Sequence, residues 1–394
     1  MLNQKKLQWE YCGLQGFYWM LYCVGAGYLN AYLTGVGLRT DVVGVISAAF
    51  AALATLIQPF LGKLADRSQR YGWKIQLQVM LVLCLGCYFV LKLFPTPILA
   101  GVVSGFILLL LNVMMPFVSG AGFYYEKAGI VVNFGAARGV GSLFYSVISY
   151  LLGFWVADFG IGCISTAGIV VTLCFLANVT VMPYRSIRDL AAQEEPRCSG
   201  EERWGTFFRT YPRFTGMLAG FVLLMLFHSM TNTYMLQIVE NVGGGTAEMG
   251  FVLALAGILE LPVMFMFAPL VKRVSSYRLL LLSGVGFVLK SILYLLAASV
   301  AMIYAAQVLQ IISYALFAAV SVYYANEVMD PMNKLRGQAL VGCSVTIGSV
   351  VGNLLGGVVT QSFGVRMILA VGAAAAVLGA LVIVMMKQPS AKAK

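Results

Sequence analysis

The sequence predicts an all-α membrane protein in which twelve transmembrane helices form two pseudo-symmetric six-helix bundles. Three observations predict it. Only 10% of the 394 residues are charged and 60% are hydrophobic, whereas soluble globular chains carry about a quarter charged residues. Apolar runs of about 20 residues recur along the chain, the length that crosses a hydrocarbon core about 30 Å thick. One long polar stretch, 184–212, divides the chain with six such runs on either side. The runs are too long and too uniformly apolar for barrel strands, and a helix satisfies every backbone N–H and C=O within itself.

The first half gives spans near 11–33, 42–62, 75–94, 98–119, 138–157 and 163–183. The second gives spans near 213–235, 248–270, 279–297, 301–322, 338–361 and 366–386. The expected organisation is an N-terminal bundle over 1–183, a cytoplasmic central loop over 184–212 and a C-terminal bundle with a short tail over 213–394. The halves echo each other in sequence. Phe123-Tyr124-Tyr125-Glu126, followed by Asn133 and Arg138-Gly139, parallels Val322-Tyr323-Tyr324, followed by Asn333 and Arg336-Gly337. Leu151-Leu152-Gly153 with Phe159-Gly160 matches Leu354-Leu355-Gly356 with Phe363-Gly364. A duplicated six-helix unit is the economical explanation, and membrane carriers built from such repeats place their site at the interface between them.

A net charge of +11 would suggest a nucleic-acid partner in a soluble protein, but the placement of the 26 Lys and Arg excludes one. With the N-terminus inside, 22 fall on cytoplasmic segments, three outside (Arg39, Lys92, Arg366) and one, Lys290, within a span. The positive-inside rule accounts for this and sets both termini in the cytoplasm of a plasma-membrane protein. Lys5 and Lys6 lead into a first apolar run without a small-residue cleavage site, so no cleavable signal is expected. Seven of the eight cysteines lie in apolar spans and Cys198 lies in the central loop, so no disulfide is implied. Cys84 and Cys87 spell C-x-x-C with no partner pair, which reads as packing, and neither metal nor other cofactor is expected. No nucleotide-binding loop appears, which argues against ATP-driven transport, and no enzymatic activity is expected.

After the second span comes Gly62-Lys63-Leu64-Ala65-Asp66-Arg67, with Arg70 and Lys74 following. A loop that is merely cationic explains the basic residues but not an Asp set after Gly-x-Leu-Ala. The stretch resembles the G-x-L-A-D-R loop signature of the major facilitator superfamily, and the spans, central loop and repeat fit that family over the whole chain. The resemblance implies a gate of Gly62, Asp66, Arg67 and Arg70 facing the start of the eleventh span, where Arg336 sits and the helix dipole favours a carboxylate. A closer resemblance is to the oligosaccharide and nucleoside proton symporters, the branch that includes lactose permease. Gln58-Pro59-Phe60-Leu61-Gly62, the run from Phe134 to Ser142 through Arg138, and Phe267-Ala268-Pro269-Leu270 carry it. It implies the major facilitator fold, alternating access, coupling to a proton or possibly sodium, and contact between Arg138 and the solute. The departures are equally specific: family carboxylates and cations align with Gly122, His228, Gln307, Gln310 and Ser313 here, so lactose and that permease's proton route are not implied.

Ionisable groups inside a span are costly and mark function by default. Here they are Arg138, His228, Glu260 and Lys290, with Arg138 read as the start of the fifth span. Ser142, Tyr145 and Ser149 follow Arg138 at helical spacing on one face. The eleventh span repeats the pattern with Gly342, Thr346, Ser349, Asn353 and Thr360, and the tenth offers Gln310, Tyr314, Phe317 and Ser321. Trp19, Tyr22 and Asn30 lie deep enough in the first span to join them. The candidate solute-binding set is therefore Arg138, Ser142, Tyr145, Trp19, Tyr22, Asn30, His228, Asn232, Gln307, Gln310, Tyr314 and Asn353. Interhelical hydrogen bonding is the alternative for the hydroxyl and amide stripes, and an aromatic girdle for tyrosines near span ends. Gly348, Gly352 and Gly356 read as close packing that lets the eleventh span slide against the second. Glu260 is either a titrating proton carrier, with His228 next in line, or a permanent partner of Lys290.

These residues point to a secondary transporter for a small polar solute, acting as a monomer among membrane lipid. A sugar or nucleoside fits the neutral stripes, and an aromatic acid fits Arg138 together with Lys290. A proton-coupled drug or organic-acid carrier is the alternative within transport; a non-transporting receptor or scaffold is the alternative outside it.

Overall fold

The apolar runs fold as helices because in hydrocarbon only an intrahelical carbonyl can take each backbone N–H. The computed structural model describes residues 4–67, 72–127, 132–182, 204–330 and 332–387. The first span is α1 (Gln4–Tyr22) and α2 (Leu29–Gly35), joined by a π turn (Cys23–Gly27). Then follow α3 (Thr40–Arg67), α4 (Trp73–Leu93), α5 (Pro97–Lys127), α6 (Phe134–Phe159) and α7 (Gly162–Val181). A short helix, α8 (Trp204–Thr210), leads into α9 (Pro212–Thr233) and α10 (Met235–Glu240), which together make the seventh span. The rest comprises α11 (Thr246–Arg273), α12 (Ser276–Leu296), α13 (Val300–Val308), a second π turn (Ile311–Ala315), α14 (Leu316–Val328), α15 (Lys334–Phe363) and α16 (Val365–Met385). Among the described residues, eleven stretches are long and apolar enough to cross a membrane, and the interrupted first span completes twelve.

Three local features depart from the sequence expectations. The first and tenth spans are not continuous α-helices: π turns widen them at Cys23–Gly27 and Ile311–Ala315. The fifth span starts a full turn before Arg138, because Asn133 Oδ1 accepts a hydrogen bond from Ala136 N at 2.9 Å and caps the helix there. Arg138 therefore sits in the second turn of α6. Likewise α15 begins at Lys334, ahead of Arg336.

Within the first half α1 packs on α6, α3 on α5 and α4 on α7; within the second α9 packs on α15 and α16, and α12 on α16. The halves meet through α6 with α11 and α3 with α15. Toward the end of the bundle remote from the chain termini, each interface closes on a pair of glycines. A Cβ on Gly153 would lie 2.9 Å from Gly250 Cα, and one on Gly44 would lie 2.6 Å from Asn353 O and 3.1 Å from Gly357 Cα. The two contacts share a second element. Tyr28 donates its hydroxyl to Ser149 O, and Tyr234 donates its own to Asn353 O, both at 2.6 Å. Gln237 Nε2 donates to Asn30 Oδ1 at 2.6 Å, and Thr40 N and Oγ1 donate to Gln361 Oε1 at 3.1 and 3.0 Å. That far face is closed.

The glycine row of α15 does not serve the interface with α3. Cβ atoms on Gly348 and Gly352 would lie 2.5 and 2.7 Å from the carbonyl oxygens of Val222 and Leu226, so these glycines let α15 approach α9 inside its own half. Gly357, beyond the row, is the one that faces Gly44.

Candidate solute-binding site

Arg138, one turn inside α6, is held on three sides. Its Nη1 donates to Ser142 Oγ at 2.8 Å, its Nη2 lies 3.6 Å from Glu260 Oε2 on α11, and the guanidinium sits 3.9 Å above the Trp19 ring. A planar, delocalised cation can stack and form a hydrogen-bonded fork at once, which an ammonium cannot do. Ser142, one turn on, also donates to Glu260 Oε2 at 3.4 Å, so it bridges the pair. The side chains of Arg138 and Glu260 remain 18% and 13% exposed, which leaves them within reach of a small solute.

On the side of the second half, the Gln310 side chain hydrogen-bonds Glu260 and accepts from Lys290 Nζ at 2.5 Å. The Glu260–Lys290 ion pair weighed from sequence is thus not formed: Glu260 pairs with Arg138, and Gln310 stands between the carboxylate and Lys290. Gln310 can do both because its amide offers an acceptor to the ammonium and donors to the carboxylate. His228 stacks on Tyr314 with ring centroids 3.9 Å apart and planes 5° apart, and its Nε2 lies 2.9 Å from Asn232 Nδ2. Gln307 is fully buried and its Oε1 accepts from the Tyr294 hydroxyl at 2.5 Å. Trp19 and Tyr22 form an aromatic pair with centroids 5.4 Å apart, and Tyr145 bonds Cys23 at the first π turn.

Two members of the sequence-predicted set stand apart from this cluster. Asn30 spends its Oδ1 on Gln237 at the far-face closure. Asn353 accepts from Thr233 Oγ1 at 2.7 Å, and Ser349 accepts from Ser229 at 2.8 Å, so the polar stripe of α15 is occupied by α9. Sequence reasoning misses Gln237, which is only partly buried and lies just past the apolar run of the seventh span. Of the gate residues, Gly62 faces open space, Arg336 lies near the start of α15, the side chains of Asp66 and Arg67 lie outside the described residues, and so does Arg70. Among the described residues no cluster of three His, Cys, Asp or Glu could hold a metal ion. The geometry can bind a polar group between two cations and exchange a proton at a carboxylate shared across the interface.

The model of the MFS_1 like family matches residues 11–371. No curated protein matches the chain. The fold is similar to that of the nucleoside transporter NupG, with a TM-score of 0.78 at 12% identity over 98% of this chain and 99% of that one. It is also similar to an auto-inhibited POT family peptide transporter, with a TM-score of 0.72 at 12% identity over 99% of each chain. A bacterial homologue of the human lysosomal transporter Spinster, inward-facing and occupied, gives 0.64 at 15% identity over 98% of this chain and 96% of that one. At these identities the structures speak to the fold, and the family match, which spans most of the chain, decides membership. The chain belongs to the MFS_1-like family and is a multi-pass membrane transporter of the major facilitator type.

Proposed function

We propose that the protein is a secondary active transporter that moves a small polar, ring-bearing solute, a sugar or nucleoside in the first instance, by proton-coupled alternating access. The observation that carries this reading is the 3.6 Å contact between Arg138 and Glu260, an ion pair that spans the two halves and is bridged by Ser142. Rocking of residues 1–183 against 213–394 separates or joins its members, so the charge state of Glu260 and the arrangement of the halves depend on each other. Trp19, Tyr22, Tyr145 and Tyr314 offer flat apolar faces for a ring, while Arg138, Gln310 and Asn232 offer hydrogen bonds to its hydroxyls. The closed far face supports a state in which the site communicates with the side of the termini. Charge placement makes that side the cytoplasm and the far side the exterior of a plasma membrane.

The test is uptake into proteoliposomes. A sugar or nucleoside, traced by isotope, should accumulate when an inward proton gradient is imposed and equilibrate when a protonophore dissipates it. Absence of flux for every solute in a broad panel, in either direction, would refute the transport reading.

A further inference from the structure

We propose that the transported solute carries one carboxylate on its sugar, nucleoside or aryl frame and that Lys290 is the cation that binds it; this rests on the transport reading above and narrows its neutral ring-bearing solute to the corresponding acid. The starting point is a charge count. Arg138 is matched by Glu260 at 3.6 Å and by the face of Trp19. Lys290, only 3% exposed, forms no ion pair among the described residues. Its ammonium is held by one neutral oxygen, Gln310 Oε1 at 2.5 Å, and lies 5.5 Å from the centre of the Tyr294 ring. An ammonium has three N–H donors, and one of them is used here. Two basic side chains thus face one carboxylate, and the other titratable side chains close to Lys290, His228 and Tyr294, add no second carboxylate.

An excess cation at this depth is costly because hydrocarbon cannot solvate it. Contact with an opposite unit charge in a low-dielectric site offsets such a cost, so a monoanion is the ligand that best matches it. A neutral sugar leaves it in place. A phosphate monoester, at about −1.5 to −2 near neutral pH, overshoots by most of a unit charge; a carboxylate matches.

The neighbouring amides fit the same reading. Gln307, three residues before Gln310, is fully buried, and while its Oε1 accepts from Tyr294, its Nε2 donates to no described acceptor. In the occupied state the solute carboxylate replaces Gln310 Oε1 as the acceptor for Lys290, and Gln310 keeps its bond to Glu260. His228, which is close to Lys290, stacks on Tyr314, and the stacked pair gives a flat wall for the ring that bears the acid.

The experiment measures affinity by titration calorimetry for the full-length protein in nanodiscs, using matched triplets on sugar, aryl and nucleoside frames: the free acid, its methyl ester and, for sugars, the 6-phosphate. The expected result is one frame whose acid binds at least tenfold more tightly than its ester or phosphate. Lys290→Gln should erase that preference by lowering acid affinity to that of the ester measured on the same variant, and Lys290→Arg should retain it, which separates loss of the charge from misfolding. Esters or neutral solutes that bind as tightly as acids, a phosphate that outbinds the acid, or an acid preference that survives Lys290→Gln would each overturn the proposal. A panel with no binder of any charge would instead overturn the transport reading, and this inference with it.

Discussion

Arg138 and Glu260 are 122 residues apart in the chain and 3.6 Å apart in space, one on each side of the interface between halves. Each is buried enough to need the other, since removing one partner of a buried pair costs about 3–5 kcal/mol. Glu260→Gln keeps the shape of the side chain and deletes its ability to carry a proton. The expected outcome is loss of accumulation under a proton gradient, with solute exchange across proteoliposomes preserved. Continued accumulation by this variant would move the proton elsewhere, with His228 the next group to test.

Arg138→Lys replaces the fork that reaches Ser142 and Glu260 and the plane that lies on Trp19 with a point charge. Solute affinity is expected to fall at least about tenfold, or about 1.4 kcal/mol, with normal gel-filtration behaviour. Calorimetry that finds the affinity intact would remove Arg138 from the solute's contacts.

Gly250→Leu should hold the far face open. Its Cβ alone would meet Ser149 O at 2.6 Å and Gly153 Cα at 2.8 Å, whereas carbon contacts settle at about 3.5–4.0 Å. Spin labels at Val36→Cys and Asn241→Cys, in a background without the native cysteines, should then report a longer distance by pulsed electron resonance than in the parent. An unchanged distance distribution would mean that the glycine contact is not what closes this face.

Asp66→Asn is expected to slow transport while leaving equilibrium affinity within a few fold, because the residue sits at the terminal end of α3, away from the site built by Arg138 and Glu260. Stopped-flow flux and calorimetry read the two quantities separately. A large loss of affinity with normal exchange rates would assign Asp66 to binding.

The spans were legible because an apolar run long enough to cross hydrocarbon leaves the backbone one solution. The partner of Glu260 was not. Arg138, His228 and Lys290 all lie at plausible depth, and choosing among them needs the rotation of three helices about their axes, which no periodicity supplies. The stripe on α15 misled for a related reason: a polar face reads the same whether it borders a cavity or, as Ser349 and Asn353 do, the hydroxyls of Ser229 and Thr233 on the next helix. The π turns carry no shared compositional mark: the first has the small residues Gly25-Ala26-Gly27 and the second, Ile311–Ala315, has no such run.

Those two turns give the carrier a second way to move. A rigid rod transmits any tilt along its whole length, but a widened turn lets the segments on either side swivel with little mutual strain. The Cys23–Gly27 turn lies between Tyr22 at the site and Asn30 at the far-face seal, and the Ile311–Ala315 turn includes Tyr314 itself. In the proposed transport cycle, clasping of a ring by Tyr22 and Tyr314 is thereby separable from opening of the seal. Occlusion of the solute and reorientation of the halves become two events with their own barriers, and a pre-steady-state trace of solute capture should resolve them as two phases.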